Sequence, residues 1–140
     1  MNVYDVAKNW AKNKKYLLDF SFKETDSTNK EAKKKFSPHN EIEFYVAESQ
    51  TQGKGRGSNT WTSPKPGSAL LCTWVNYLSQ PPTHLTSMLV GLALFRASEI
   101  VYKKLQFSLK APNDLFLYDK KVAGLLIETC LLYTSDAADE

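Results

Sequence analysis

The amino-acid sequence predicts an α+β fold, a mostly antiparallel sheet backed by helices. Two patterns carry that reading. Short segments with strand-like alternation or β-branched and aromatic content recur along the chain, and stretches of helical periodicity fall between them. The 140 residues suffice for one ordinary domain or part of a larger one. An apolar fraction of 42% with 24% charged residues argues against disorder, collagen and coiled coil. No internal repeat or low-complexity linker interrupts the chain.

In order, Tyr4 to Lys15 reads as a short amphipathic helix with Val6 and Trp10 on one face. Leu17 to Lys23 alternates with period two, setting Leu18, Phe20 and Phe22 against Leu17, Asp19, Ser21 and Lys23. Thr28 and Glu31 form a capping-box signature, so a helix is expected from Asn29 to about Lys35, breaking at Ser37-Pro38. Lys33 to Lys35 form its solvated face. Phe44 to Ala47 is a second strand, and Gln50 to Ser68 is a loop holding four of the six glycines. Ser68 to Tyr77 has the content of a buried strand. Leu85 to about Leu105 is nearly apolar all round in its first half, which predicts the central core helix. Phe107 to Leu109, Leu115 to Tyr118 and Val122 to Thr129 read as strands, with a hairpin turn at Asp119-Lys120.

No uninterrupted apolar run reaches the roughly 18 to 20 residues of a membrane span, and the N-terminus carries no signal pattern, so a cytoplasmic protein is expected, with no membrane partner. Cys72 and Cys130 lie far apart without metal-ligand spacing, which disfavours a disulfide framework or a protein-held metal. Cys72, in an apolar strand, reads as an inert core residue. His39 and His84 sit near prolines and read as surface loop residues. The net charge is +3, but three of the acidic residues lie in the last five positions. Without them the balance is 18 basic to 12 acidic. Such a surplus suits anionic ligands such as nucleotide phosphates and is too small and dispersed to require nucleic acid.

Three segments carry chemistry. In Glu48 to Trp61, alternate glycines (Gly53, Gly55, Gly57) let a backbone approach a ligand and aim successive amides at an anion. Lys54 and Arg56 add charge, and Arg56 can offer a planar fork to phosphate. Trp61 can cover a ligand ring. The spacing is neither a Walker loop nor a dinucleotide fingerprint, and a solvated flexible loop has the same composition. Asp26-Ser27-Thr28-Asn29 stands at a helix N-terminus, either as a simple cap or as a polar site. Lys110-Ala111-Pro112-Asn113-Asp114 forms a proline corner expected to aim Lys110 inward, where it would stabilise developing negative charge. Gly124, inside a bulky strand, suggests close approach to the backbone.

In this order the segments resemble the catalytic domain of biotin protein ligases, also called biotin–[acetyl-CoA-carboxylase] ligases. The quoted family pattern is Asp-Ser-Thr-Asn, Gln-x-x-Gly-Arg-Gly-Arg-x-Gly-x-x-Trp, Lys-Trp-Pro-Asn-Asp and Lys-Leu/Val-Ala-Gly-Ile/Leu-Leu. The matching positions are Asp26 to Asn29, Gln50 to Trp61, Lys110 to Asp114 and Lys121 to Leu126. The resemblance covers Phe20 to Thr129. It implies a biotin/lipoate protein ligase-like fold in which biotin's carboxylate attacks the α-phosphate of ATP, usually with magnesium. A lysine of a biotin carboxyl carrier domain then displaces AMP from biotinyl-5′-adenylate. It assigns Ser27, Thr28, Asn29 and Gln50 to the polar part of biotin, Gly53, Lys54, Gly55 and Arg56 to the adenylate, and Trp61 to the apolar part. Lys110 falls to the reacting carboxyl and phosphate, with Arg56 the second catalytic candidate, and Gly124 to close ligand approach.

The sequence departs from the pattern at Lys54 in place of arginine, at Gly57-Ser58, and at Ala111 in place of tryptophan. Cys130 to Glu140 continues no earlier pattern and reads like a translated sequencing adapter. The expectation is therefore a catalytic domain incomplete after Thr129, poorly active by itself, with a non-native tail at 130–140. The short segment before Asp26 suggests a parent without a DNA-binding repressor domain. Two other readings compete. A lipoate or octanoate transferase shares the fold family, but the Gly-Lys-Gly-Arg-Gly and Pro-Asn-Asp runs speak against it. A non-catalytic RNA-binding module would use the basic glycine loop and Trp61, and leaves Ser27-Thr28-Asn29 and the Lys110 corner without a purpose.

Overall fold

A computed structural model describes residues 1–36, 42–63 and 65–130. The expected break at Ser37-Pro38, His39, Pro64 and the tail at 131–140 lie outside the described residues. The chain falls into two compact units, Met1–Lys54 with Thr60–Tyr77, and Gly55–Asn59 with Leu78–Thr129.

In the first unit, helix α1 (Val3–Lys12) starts from a capping box in which Asn2 accepts from the Asp5 amide at 2.9 Å. Strands β1 (Leu17–Thr25), β2 (Ile42–Gln50) and β5 (Leu71–Val75) form a three-stranded sheet in the order β1-β2-β5. β1 and β2 are parallel, which requires a crossover, and helix α2 (Thr28–Lys35) lies within it. β2 and β5 are antiparallel, as are the two-residue strands β3 (Gly53–Lys54) and β4 (Thr60–Trp61) inside the expected loop.

Register fixes two faces. Leu17, Phe44 and Val46 share one face and pack with Tyr4 and Ala11 of α1 into the core cluster. On the other face Phe20 stacks on Tyr45 with ring centroids 4.6 Å apart, and the Lys35 ammonium of α2 lies over the rings of Phe20 and Phe22. The central strand is therefore covered on both sides, and Glu43 through Ala47 are all buried.

Two expected faces need correction. The α1 stripe toward the sheet is Tyr4, Ala7 and Ala11, while Val6 is exposed. Alanines let the helix axis approach the sheet closely, and the bulky Trp10 instead meets Phe44 and Trp74 edge-on at 5.9 Å. In β1, Leu17 is buried and Leu18 exposed, because Leu17 shares the α1 face with Phe44 and Val46.

Burial pushes the Cys72 thiol above its ordinary value of 9.0 to about 11, against a smaller opposing effect of a hydrogen bond with Trp74. A pKa raised by two units leaves about 100-fold less thiolate at pH 8. Cys130 is exposed. With iodoacetamide at pH 8, Cys130 should label first and Cys72 at least about tenfold more slowly until denaturant is added. Equal rates by mass spectrometry would contradict this burial. In the linkage sense, the folded thiol holds its proton longer than the unfolded one, so this group costs stability as pH rises from 9 toward 11.

In the second unit, helix α3 (His84–Val101) begins from Thr83, which caps the Leu85 amide. His84 is thus the first helical residue, not a loop residue, and it is exposed. Strands β6 (Phe107–Lys110), β7 (Asp114–Leu117) and β8 (Lys120–Gly124) form an antiparallel meander. Four of the five strand pairings among the described residues are antiparallel, so the expected mostly antiparallel α+β architecture holds. The hairpin turn lies at Tyr118-Asp119, one residue earlier than expected, with Tyr118 at φ +54°.

The expected core helix is the largest correction. Of α3 only Gly91 is buried, and Leu85, Met88, Leu89, Val90 and Leu92 are all substantially exposed. An apolar periphery creates a demand for burial on every side, whereas within this unit the meander meets the helix on one side alone. By length and composition α3 is also apolar enough to cross a membrane.

Candidate functional site

The first unit gathers the Ser27-Thr28-Asn29 run and Gln50. The expected cap is corrected: α2 begins at Thr28 with Ser27 as N-cap, and Ser27 makes no side-chain cap bond. Glu31 instead accepts from the Thr25 hydroxyl at 3.2 Å and from Lys34. The Gln50 side chain supplies what the cap does not. Its Oε1 accepts the Thr28 amide at 2.7 Å and the Thr28 hydroxyl at 3.0 Å. A residue 22 positions away thus satisfies one orphan donor of the helix. Thr28 and Ser27 are buried, and Thr73 of β5 donates to the Thr28 Oγ1 at 2.8 Å and also contacts the Asn29 Oδ1.

Asp26 anchors the same corner. The Lys30 ammonium, hydrogen-bonded to it at 2.7 Å, holds its carboxyl below the ordinary 3.8. Its main-chain oxygen accepts from the Gln52 amide at 2.8 Å, and the Thr25 oxygen from Thr51 at 3.0 Å. These bonds tie the β1–α2 junction to the chain leaving β2, which places Thr28 beside Gln50. Below them, burial pushes the Tyr45 phenol above its ordinary range, and its hydrogen bond to the buried Glu43 at 2.7 Å adds to that.

The glycine run divides in role. Gly53 pairs with Trp61, and a Cβ there would stand 2.6 Å from the Trp61 carbonyl oxygen, so only glycine permits this ladder. Lys54, facing Thr60, is exposed. Gly55 donates to the Asn59 oxygen at 2.8 Å and Asn59 to the Arg56 oxygen at 3.2 Å, which closes a tight turn. Gly57 at φ +62° takes the left-handed conformation within it, so the Gly57-Ser58 departure has a use in the turn. Arg56 is exposed at this turn.

In the second unit, Lys110, Asp114 and Gly124 are successive cross-strand partners in one row. Leu109, Leu115 and Ala123 form the neighbouring row, and Leu109 approaches Gly91 of α3. Alternation therefore puts Lys110 on the face away from α3, where it is exposed. Within this unit the proline corner does not turn Lys110 inward. The corner contains a cis Ala111-Pro112 bond. Asn113 accepts from the Leu125 amide at 2.9 Å through its main chain and donates to the Leu125 oxygen at 2.7 Å through its side chain. Asp114 pairs with Lys121 at 2.9 Å. Lys110 makes no ion pair among the described residues.

Two residues that motif reading missed belong to these arrangements. Thr73 is the one hydroxyl in the run Leu71-Cys72-Thr73-Trp74-Val75, and its polarity at a half-buried strand position was the available signal. Gly91 interrupts an apolar helix at the point where it meets the Pro112 carbonyl. No group of three or more His, Cys, Asp or Glu among the described residues could hold a metal ion.

Comparison with known proteins places these arrangements in context. Residues 21–137 match the Biotin/lipoate A/B protein ligase family. The chain is 33% identical over 106 residues to the bifunctional ligase/repressor BirA of Salmonella typhimurium, covering 74% of this chain and 32% of that protein. It is similar to the biotin protein ligase from Aquifex aeolicus solved with biotin and ATP, with a TM-score of 0.65 and 29% identity over 83% of this chain and 47% of that one. A ligase from Leishmania major solved with biotinyl-5-AMP gives a TM-score of 0.63 at 26% identity, covering 80% and 52%. The chain thus spans about a third of the curated relative and about half of the solved ones. Its sequence and its fold agree: the chain belongs to the biotin/lipoate A/B protein ligase family.

Proposed function

We propose that this chain carries the biotin-activating site of a biotin protein ligase. The reaction joins biotin's carboxylate to the α-phosphate of ATP, releases pyrophosphate, and passes biotin from the adenylate to a lysine of a carboxyl carrier domain. The observation that carries this reading is the Gln50–Thr28 clasp. With Oε1 held by two donors, the Gln50 amide NH₂ is turned toward Gly53, 3.3 Å from where a Cβ would stand. A fixed amide donor beside a glycine backbone suits a ureido carbonyl, the polar end of biotin. Support comes also from the solved neighbours, which are named as biotin protein ligases in complex with biotinyl-5-AMP or with biotin and ATP.

In this reading Ser27, Thr28, Asn29 and Gln50 serve the ureido end, and Trp61 the apolar ring. Lys54 and Arg56 meet the adenylate phosphate, with Gly53 and Gly55 admitting its close approach. Lys110 neutralises charge on the reacting carboxylate and phosphate, and Gly124 leaves its row open beside Asp114. Magnesium enters as the ATP complex, part of the substrate and not a resident ion.

The test is thermal unfolding of the full chain with biotin and with lipoate. At a concentration 100 times Kd, a ligand adds about 2.7 kcal/mol of stability, a rise of several degrees for a chain of this size. Biotin should produce that rise and lipoate should not. Stabilisation by lipoate alone would transfer the chain to the lipoate branch of the family.

A further inference from the structure

We infer that Thr73 of β5 is a positioning residue that holds the Thr28 hydroxyl on Gln50 and so steadies the Gln50 side-chain amide; the ligand part of this inference rests on the biotin reading above. The Thr28 backbone N–H can only donate, so the Gln50 atom 2.7 Å from it must be the oxygen. That oxygen can only accept, so the single proton of the Thr28 hydroxyl, 3.0 Å away, points to it. Thr28 Oγ1 then has lone pairs alone to offer elsewhere. Its partner at 2.8 Å, the Thr73 hydroxyl, must therefore be the donor. The same Thr73 oxygen also contacts the Asn29 side-chain amide.

The chain of hydroxyls consequently runs one way, from Thr73 through Thr28 to Gln50. Thr28 is buried at 3% exposure, so solvent does not readily replace a lost partner there. Removing the Thr73 hydroxyl leaves Thr28 Oγ1 short of a donor. The Thr28 hydroxyl is then released to swing away from Gln50. The Gln50 amide loses one of its two restraints, and with it the fixed display of NH₂ to the ligand.

The test compares Thr73→Val, which keeps shape and removes the hydroxyl, with Thr73→Ser, which restores it. The first readout needs no ligand: the Gln50 side-chain amide signals in ¹H–¹⁵N spectra of the full chain. They should move in T73V and return toward their original positions in T73S. Unmoved signals in T73V overturn the positioning role whatever the site binds. The second readout is equilibrium dialysis with biotin and with 2-iminobiotin, in which an N–H donor replaces the ureido oxygen. T73V should weaken biotin roughly tenfold and narrow the preference for biotin over 2-iminobiotin, with T73S near the original chain. Equal weakening of both ligands, unrescued by serine, would show a merely structural residue. Amide signals that respond as expected in a chain that binds lipoate and not biotin would leave the positioning role standing and overturn the biotin reading.

Discussion

Replacing Lys110 by alanine is expected to slow biotinyl-adenylate formation by about 10²- to 10³-fold, the usual cost of removing one preorganised group from developing negative charge. Folding should be unaffected, because Lys110 is exposed on its meander and makes no ion pair among the described residues. Surface changes of that kind shift stability by about 0.5 kcal/mol or less. Lys121 provides the contrast. It is committed to Asp114 at 2.9 Å, so its ammonium is already partly neutralised, and Lys121→Ala should cost much less activity. The measurement is biotin-dependent ATP–pyrophosphate exchange alongside thermal unfolding. Full exchange activity in Lys110→Ala would remove this lysine from the mechanism, and a lowered melting temperature would show a structural duty that its exposure does not suggest.

The same row shows what could be read from sequence and what could not. Strand content located β6 and β7, whereas the strand expected at Val122 to Thr129 is β8 at Lys120–Gly124, since its pairing partner β7 is only four residues long. The order of motifs named Lys110 and Gly124, but only register reveals that both flank Asp114. Likewise the Ser27-Thr28-Asn29 run and Gln50 were legible as polar sites, whereas their clasp was not. A capping box is a local pattern, and here a side chain from 22 residues away supplies the acceptor instead. Faces were least legible where small residues compete with large ones. In α1 the alanines win the sheet contact over Val6, because closeness of approach counts for more than side-chain size. In α3, composition states how much apolar surface requires cover and says nothing about how much cover its own unit provides.

Gly91→Ala separates two physical effects of opposite sign. In an exposed helix interior, alanine is more favourable than glycine by about 0.8 to 1.0 kcal/mol. Propensity alone therefore predicts a stabilised α3. Packing predicts the reverse. A Cβ on Gly91 would lie 2.8 Å from the Pro112 carbonyl oxygen and 3.4 Å from Leu109 Cδ1. The first contact is with backbone, in a corner that Asn113 pins to Leu125 through two hydrogen bonds, so it cannot yield as a flexible side chain would. Overpacking of this kind costs about 1 to 3 kcal/mol, enough to outweigh propensity. The net expectation is a loss of up to about 2 kcal/mol, a fall of up to several degrees in melting temperature. Ala93, exposed on the same helix, is the control. Ala93→Gly should lower stability through propensity alone and leave adenylate formation unchanged, whereas Gly91→Ala should also reduce activity by shifting the Lys110–Asp114 corner. If Gly91→Ala instead raises the melting temperature, the helix does not rest against the Pro112 carbonyl, and the support assigned to this glycine is wrong.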